Sequence, residues 1–549
     1  MLGGVTVKHS KNIPHNSCSN SGNKFTTFTH KYLIALISIL CFATILRFRG
    51  LDTESFWLDE LTSLNAISKG TWRGAMEGWL SMVGMGTWLM YYWKLIVGDS
   101  DFALRSLSAI SGVILVLIVA EFTRRNYGEK AGIIAGSMIS ISHLAINYSQ
   151  EFRPYMFTTT FIWISFLLMR LERKLSRFEL ILCIVFLSFS YLVHYLAGLV
   201  IVLGLFCDFI LRLRDLIVNG ERNMPILDRI KQYLASKSGQ CLQICFAIAM
   251  LAIFMLEKMR YDSSNTNHSM WIGDLPERPV VSLFDYFFGF DDRGTVTDIA
   301  EFMWYFVLLT PVILYLHMRI CKDRKNGPAP EWFVWVVGGG TMLIVVLYSQ
   351  NIRNLWVSRY FVFSMPAWYI LFGIAISRCI DILVYSVDRL DIKKQESTSF
   401  FVAVIFSILF VLNSTHWYVN EFNYYEQNSK SDFKGMSMWL DSYLDGDQDD
   451  TYIISQPHDH YWNLYLQRMG SSVTVNQDSN WGSISTGSII WIIEDGPFEI
   501  IHIRGHKVDM WGYENLELIL RPDYDLVQTV TFIEGQIDVY HRTKGDGLA

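Results

Sequence analysis

Acidic residues follow the first apolar run of this 549-residue chain. Residues 47–63 read RFRGLDTESFWLDELTS and place Asp59 and Glu60 side by side, close to Trp57. Adjacent carboxylates at the end of a membrane helix are costly to hold unless they bind a ligand or catalyse a reaction. The alternative is a solvated acidic turn at the water interface.

The other candidate residues share one property: each lies at the end of a later apolar run. They are Gln150, Glu151, Arg153, Tyr155, His194, Tyr195, Arg359 and Tyr360. Taken singly, the arginines could anchor lipid headgroups, the tyrosines could belong to an aromatic belt, and the histidine could simply occupy a turn. A local ion pair between Glu151 and Arg153 is a further alternative. Only their convergence on one face of the membrane favours a functional site.

The composition predicts a multi-pass membrane protein. Hydrophobic residues make up 51% of the chain and aromatic residues 15%, with a positive mean hydropathy. The net charge of -6 does not indicate binding to nucleic acid. The eight cysteines form neither a disulfide framework nor a C-x-x-C metal motif.

Loop charges predict the topology, because Lys and Arg in short loops mark the cytoplasmic side. The basic segments are 1–31, 123–130, 170–178, 211–238, 319–328 and 378–397. We therefore expect a cytoplasmic tail at 1–31 and a membrane domain at 32–416 with about eleven spans and an external first loop at 47–102. The run 32–46 is interpreted as an uncleaved anchor, because Arg-Phe-Arg stands where a cleavage site should be.

Two apolar runs are ambiguous, and loop charge and helix length decide how each is interpreted. If 81–98 crossed the membrane, the basic segment 123–130 would lie outside, so 81–98 is predicted to be a helix on the outer interface. The run 180–211 would be roughly 48 Å long as one helix, which exceeds a bilayer. It is therefore predicted to be a hairpin of two short helices that turns near His194.

The last part of the chain, 417–549, is predicted to be an external, water-soluble α/β domain. It alternates strand-like runs at 451–455, 488–493 and 526–533 with turns, and a helical stretch at 435–444 opens it. The fold class is thus mainly α and polytopic, with interfacial helices in the first loop and a small C-terminal α/β domain.

Several motifs, in order, resemble the integral-membrane glycosyltransferases of the GT-C fold. They are Arg47, SFWLDE at 55–60, YSQEFRPY at 148–155, HY at 194–195, and SRYF at 358–361. Within this fold, the motifs resemble those of the prokaryotic enzymes akin to protein O-mannosyltransferases and lipid A aminoarabinose transferases. GDSDFALRSL at 98–107 and DFKG at 432–435 are also similar to family segments.

The resemblance implies transfer of one sugar from a polyprenyl-phosphate carrier to an acceptor on the outer side of the plasma membrane. It implies that Asp59 is the base, with Glu60 orienting it, binding acceptor or taking no part, and that Glu151 is a second acid. A guanidinium would serve the donor phosphate, from Arg359 first and Arg153 second. The remaining donor contacts would come from Trp57, Gln150, Tyr155, His194, Tyr195 and Tyr360.

One segment departs from the family pattern. Many relatives have a His-or-Lys-Pro-Pro-Leu segment before the interfacial helix, where this chain has Gly84-Met85-Gly86-Thr87. Its phosphate-binding role would pass to Arg153, Arg359 or Lys94. The resemblance also leaves open a divalent metal (Mg²⁺, Mn²⁺ or Zn²⁺) shared by Asp59 and Glu151, since some relatives need none.

The implied partners are a polyprenyl-phosphate-linked donor, membrane lipids and a glycan, lipid or protein acceptor in the cell envelope. Two other classes stay open: a transporter or flippase for a lipid-linked or small solute, and an assembly partner that docks through 417–549. Against transport, the chain shows neither inverted repeats nor paired broken helices, although Gly338-Gly339-Gly340 lies inside one run.

Overall fold

The computed structural model describes most of the chain. The described residues are 29–68, 85–170, 175–219, 225, 228, 239–240, 244, 275–288, 297–320, 331–352, 354–386, 392–421, 424–425, 432–445, 451–456, 459–475, 499–505, 524–533 and 535–542. Helices dominate, and one small sheet lies near the carboxyl end. This confirms the predicted fold class.

The membrane domain contains fourteen helices within the described residues. They are α1 (His30–Phe48), α2 (Leu58–Ser68), α3 (Gly86–Val97), α4 (Asp101–Tyr127), α5 (Glu129–Ser140), α6 (His143–Ser149), α7 (Tyr155–Met169), α8 (Arg177–Val193), α9 (Tyr195–Asn219), α10 (Pro279–Phe288), α11 (Thr297–Ile320), α12 (Trp332–Asn351), α13 (Met365–Tyr385) and α14 (Ile392–His416). A π-helical turn, Val336–Gly340, lies inside α12, and a 3-10 helix, Ser358–Phe363, precedes α13.

Five of the described helices are long and apolar enough to cross a membrane: α1, α4, α12, α13 and the stretch Lys394–Asn420, which includes most of α14. Helices α5 and α6 could form one further span, broken by a bend of 58°. The chain is therefore an integral membrane protein. The number of about eleven spans, the side on which each end lies and the domain boundaries stay predictions. Residues 1–28 of the expected tail lie outside the described residues.

Local sequence explains where the long helix α4 begins and ends. The Ser100 side chain accepts a hydrogen bond from the Ala103 N–H, which caps the first turn. Gly128 ends α4 with a φ of 101°, a backbone conformation that favours glycine, and α5 begins at the next residue. In the middle of α4, Gly112 lies so close to Ser149 that a Cβ would overlap the serine side chain. Helix α6, which leads into the candidate site, can therefore pack tightly against α4.

Two other predicted features concern a helix break and a short helix. A break at His194 separates α8 from α9, and the two helices pack against each other. Helix α3 has 12 residues, too few to span a bilayer at about 1.5 Å per residue. Its predicted place on the outer interface stays a prediction, and residues 69–84 lie outside the described part.

The carboxyl-terminal segment forms a small α/β unit. Its elements are α15 (Phe433–Leu444), β1 (Thr451–Gln456), α16 (Asp459–Met469), β2 (Glu499–Gly505), β3 (Tyr524–Phe532) and β4 (Gly535–Arg542). The strand order is β1-β2-β4-β3, with β1 and β2 parallel and the other two pairs antiparallel. The strands predicted at 451–455 and 526–533 and the helix at 435–444 are present. The strand predicted at 488–493 lies outside the described residues.

One apolar core joins this unit to the first loop. Phe56 and Leu61 of the loop share a cluster of buried residues with Phe433, Trp462 and Ile501 of the carboxyl-terminal unit. The larger part of the membrane domain packs around a separate cluster that includes Trp163 and Trp368. The first loop is thus held between the helices and the carboxyl-terminal unit, which is from here on called the C-terminal domain.

Candidate active site

Asp59 lies between two guanidinium groups. Its Oδ2 accepts a hydrogen bond of 2.9 Å from Nη1 of Arg359 and lies 3.6 Å from Nη2 of Arg153. The side chains of Arg153, Arg359 and Asp59 are 13%, 16% and 28% exposed, respectively. The Asp59 carboxylate therefore pairs with two largely buried cations.

Three separate elements bring these side chains together. Asp59 lies in the first turn of α2, where a carboxylate is favoured by the helix dipole. Arg153 lies in the turn between α6 and α7, and its Nη1 donates to the Asp59 carbonyl and to Ser63 Oγ, each at 2.8 Å. Arg359 lies in the 3-10 helix before α13. The two arginines therefore meet although they are far apart in the sequence.

Aromatic side chains surround this cluster. The Arg359 guanidinium lies 5.8 Å from the ring centres of both Trp57 and Tyr360, and that of Arg153 lies 5.6 Å from the ring of Tyr155. The indole N–H of Trp57 is buried and has no hydrogen-bond partner among the described residues. It is therefore a donor that a ligand oxygen could use.

His194 extends this aromatic wall. Its ring centre is 4.6 Å from that of Tyr360 and 6.1 Å from that of Tyr155. Burial lowers the pKa of His194 to about 3, and the positive charges of Arg359 and Arg153 act in the same direction. The imidazole is therefore neutral at physiological pH. Tyr195 follows directly, but its side chain lies outside what the structure describes.

Both guanidiniums remain charged. Burial alone would lower their pKa values, but Asp59 and Tyr155 outweigh burial in each case, so the pKa of Arg153 and of Arg359 lies above its ordinary value. The site thus holds two charged guanidiniums beside the Asp59 carboxylate.

Glu60 points away from this cluster and into the protein. Its two oxygens accept hydrogen bonds of 2.9 and 2.8 Å from Arg105 of α4, and one of them also accepts the Phe152 N–H at 2.6 Å. Glu60 is fully buried and Arg105 is 1% exposed. These contacts give Glu60 a structural role in holding α2 against α4 and the turn at 150–154.

Two of the predicted donor-binding residues are likewise engaged elsewhere. The Gln150 amide donates to the carbonyl groups of Leu46, Arg47 and Arg49, with the shortest distance 2.7 Å to Arg49, and so fixes the end of α1. Lys94 pairs with Asp99 at 3.1 Å. Among the described contacts, none joins Gln150 or Lys94 to Asp59. The expected roles of Lys94 at the phosphate and of Gln150 among the donor contacts stay predictions.

Glu151 is buried, on the side of the turn that faces the tyrosines after α14. Burial and the charge of Glu54 raise the pKa of Tyr424, and Glu151 contributes to the same increase. Within the described residues, no group of three or more His, Cys, Asp or Glu side chains could hold a metal ion. The expectation of a metal and of a catalytic Glu151 therefore stays a prediction.

Sequence reasoning missed the residues that support the loop. Arg105 lies in the quoted segment 98–107, but nothing in its spacing identifies Glu60 as its partner. Tyr465 and Arg468 of the C-terminal domain also contact the loop at Phe56, and no sequence motif marks them.

Comparisons with known proteins agree with this architecture. Residues 84–224 match the family model described as dolichyl-phosphate-mannose-protein mannosyltransferase, a match that covers less than half of the chain. A comparison with curated protein sequences finds no match.

Solved structures give a likeness over almost the whole chain. The structures of ArnT from Cupriavidus metallidurans, in the apo state and bound to undecaprenyl phosphate, each have a TM-score of 0.50 at 12% identity, over 93% of this chain and 98% of that chain. The Archaeoglobus fulgidus oligosaccharyltransferase tethered with an acceptor peptide is 14% identical over 80% of this chain and 63% of that chain, with a TM-score of 0.42. The chain thus has the GT-C fold, which is the fold of integral-membrane glycosyltransferases.

Proposed function

We propose that the protein is a membrane glycosyltransferase that moves one monosaccharide from a polyprenyl-phosphate carrier to an acceptor hydroxyl group on the outer side of the membrane. The donor class is supported by likeness to ArnT, whose structure holds undecaprenyl phosphate. The acceptor would be a glycan, a lipid or a protein of the cell envelope.

The observation that carries this proposal is the charge of the cluster. Asp59 faces both Arg359 and Arg153, so two guanidiniums meet at one carboxylate in a largely buried setting. A phosphate is anionic and can accept bidentate hydrogen bonds from a guanidinium, so two guanidiniums that meet at one place suit it. Such a site favours an anionic phosphate over a neutral ligand.

The same groups fit the transfer step. Asp59 removes the proton from the acceptor hydroxyl, whose oxygen then forms a bond to the anomeric carbon. The bond between that carbon and the phosphate oxygen breaks, and the electron pair leaves with the lipid phosphate. Arg359 and Arg153 stabilise the charge that grows on this leaving group. When the donor phosphate takes over the hydrogen bond from Arg359 and the ion pair with Arg153, the Asp59 carboxylate becomes available as the base.

The remaining side chains are assigned by their positions around this cluster. The Trp57 N–H would donate to an oxygen of the donor, while Tyr155, Tyr360 and neutral His194 would line the sugar pocket. Glu60 would position Asp59 through its contacts with Arg105. The prenyl tail would lie between membrane helices. No step of the proposed reaction is assigned to a metal.

The test is a turnover assay with purified protein in detergent. The wild-type protein should transfer sugar from a polyprenyl-phosphate donor with no membrane barrier present, whereas a transporter cannot show activity there. Asp59→Asn should lower the rate at least about a hundredfold, the size typical of losing a general base. Asp52→Asn, which changes an exposed acid of the same loop, should leave the rate unchanged.

Two results would contradict the proposal. Turnover by Asp59→Asn at the wild-type rate would remove Asp59 from the mechanism. An absence of turnover by the wild-type protein, combined with donor-dependent transport in vesicles, would favour the transporter.

A further inference from the structure

The segment that carries Asp59 is held from one side by α4. Nη1 of Arg105 donates to the carbonyl groups of Leu51 and Glu54, each at 2.8 Å, and its Nη2 donates to the Ser55 carbonyl at 2.9 Å. Together with the pair to Glu60, these bonds engage the segment 51–60 at four places. All of these bonds come from Arg105 of α4, which belongs to the membrane domain.

The C-terminal domain holds the same segment from the other side. The hydroxyl oxygen of Tyr465 in α16 accepts a hydrogen bond of 2.5 Å from the Phe56 N–H. The Lys434 N–H of α15 donates to Ser55 Oγ at 2.7 Å. Both contacts lie within four residues of Asp59, so they act on the backbone that leads into the first turn of α2.

Arg468 links this contact to α4. Its guanidinium lies 5.0 Å from the Phe56 ring centre, and that of Arg105 lies 4.6 Å from the same ring. Nη2 of Arg468 also donates to Asp101, the first residue of α4, at 2.6 Å. The C-terminal domain, the Asp59 segment and α4 therefore meet at Phe56.

The contact between Phe56 and Tyr465 is buried in the protein interior. Phe56 is fully buried and Tyr465 is 3% exposed. A backbone N–H in such a place has no access to water when its partner is removed, so the loss of the Tyr465 hydroxyl leaves a donor unsatisfied. The backbone must then move to regain a partner. Because Asp59 has to lie within hydrogen-bond distance of the acceptor hydroxyl, a shift of this backbone slows the reaction.

We propose that Tyr465 and Arg468 are positioning residues: through Phe56, they fix the backbone at 55–57 and thereby direct Asp59 toward Arg359. The C-terminal domain thus takes part in forming the active site and is more than a cover above it. This inference rests on the proposed function for its effect on turnover, but not for its effect on the loop itself.

The test compares Tyr465→Phe with Tyr443→Phe in the full chain in detergent. Tyr443 belongs to the same domain, and its hydroxyl donates to Glu499 at 2.8 Å, away from the Asp59 loop. Two quantities are measured: amide hydrogen exchange of peptides covering 51–61, and the steady-state kinetics of transfer. Thermal unfolding of both variants controls for global damage.

In Tyr465→Phe we expect exchange of the 51–61 peptides to become about tenfold faster, as the loss of one buried hydrogen bond implies. We expect kcat to fall about tenfold with the donor KM changed less than about twofold, because the hydroxyl does not touch the donor. Tyr443→Phe should behave as wild type in both measurements. Unchanged exchange in Tyr465→Phe, or an equal effect of both variants on kcat, overturns the proposal.

A second pair of variants tests the proposal if Tyr465→Phe does not fold. Arg468→Gln removes the charge that contacts Phe56 and Asp101, and Arg468→Lys restores that charge without the planar group. Faster loop exchange in Arg468→Gln, partly restored in Arg468→Lys, supports the proposal, and wild-type exchange in both contradicts it. If the wild type shows no transfer but exchange responds as expected, the positioning contact stands and the proposed function fails.

Discussion

At the scale of single residues, the decisive feature is the unequal sharing of Asp59 by two arginines. Arg153 has a second task, because it also donates to the Asp59 carbonyl and to Ser63. Arg359 reaches the same carboxylate from a separate element, the 3-10 helix before α13, through its Nη1. We expect Arg359, whose hydrogen bond to Asp59 joins two side chains, to change partner when the proposed donor phosphate binds.

Arg359→Gln should weaken use of the donor more than use of the acceptor. A charge-assisted hydrogen bond contributes about 1.5–3 kcal/mol, which corresponds to a decrease of about 10- to 100-fold in kcat/KM for the donor. Arg49→Gln, at an exposed arginine beyond the end of α1, is the control and should change little. Equal losses for donor and acceptor would instead assign Arg359 a structural role.

His194 should make acid conditions unfavourable for the fold. Its pKa is lowered from 6.5 to about 3 on folding, so the unfolded chain binds a proton between these values and the folded protein does not. Stability should therefore fall as the pH decreases below 6.5, by up to about 1.4 kcal/mol per pH unit from this group, with no contribution above that range.

The difference between wild type and His194→Gln isolates this effect. Thermal unfolding measured from pH 7 to pH 5 should show a smaller loss of stability in the variant, whereas His30→Gln, at an exposed position, should follow the wild type. Parallel curves for His194→Gln and wild type would mean that His194 is protonated in the folded protein.

At the scale of elements, helix α2 depends on the buried pair between Glu60 and Arg105. Glu60→Gln leaves the Arg105 guanidinium buried beside a neutral amide, and loss of one partner of such a pair costs about 3–5 kcal/mol. We expect a clear decrease in the thermal unfolding temperature, together with reduced turnover. Asp52→Asn, at an exposed acid of the same loop, is the control for stability, and an unchanged unfolding temperature in Glu60→Gln would contradict this account.

Elements differ in how well the sequence predicted them. The break at His194 and the turn before Tyr155 were predictable, because chain length and loop charge restrict where a membrane helix can end. The pairing of Glu60 with Arg105 was not predictable, because 45 residues separate them and no local pattern encodes such a contact. The adjacent acids Asp59 and Glu60 therefore looked alike in the sequence, although successive positions on α2 turn one toward the cluster and the other into the core.

At the scale of the whole molecule, the order of motifs predicted the GT-C fold better than hydropathy predicted the number of spans. Helix α7 has only 15 residues, and the pair α5 and α6 is bent, so length and composition alone do not count them as full spans. The C-terminal domain was predicted from its strand pattern. The contact of the C-terminal domain with the first loop was not predicted, because no pattern in either segment identifies the other as its partner.

The contact between Phe56 and Tyr465 has a consequence for biosynthesis. The two residues are 409 positions apart, so at about 5–20 residues per second a ribosome makes Tyr465 roughly 20–80 s after Phe56. During that interval the nascent chain has Arg105 to order the Asp59 segment but lacks the second contact. A chain released before α16 is made would lack this contact, so under the proposed function full turnover requires translation through Tyr465.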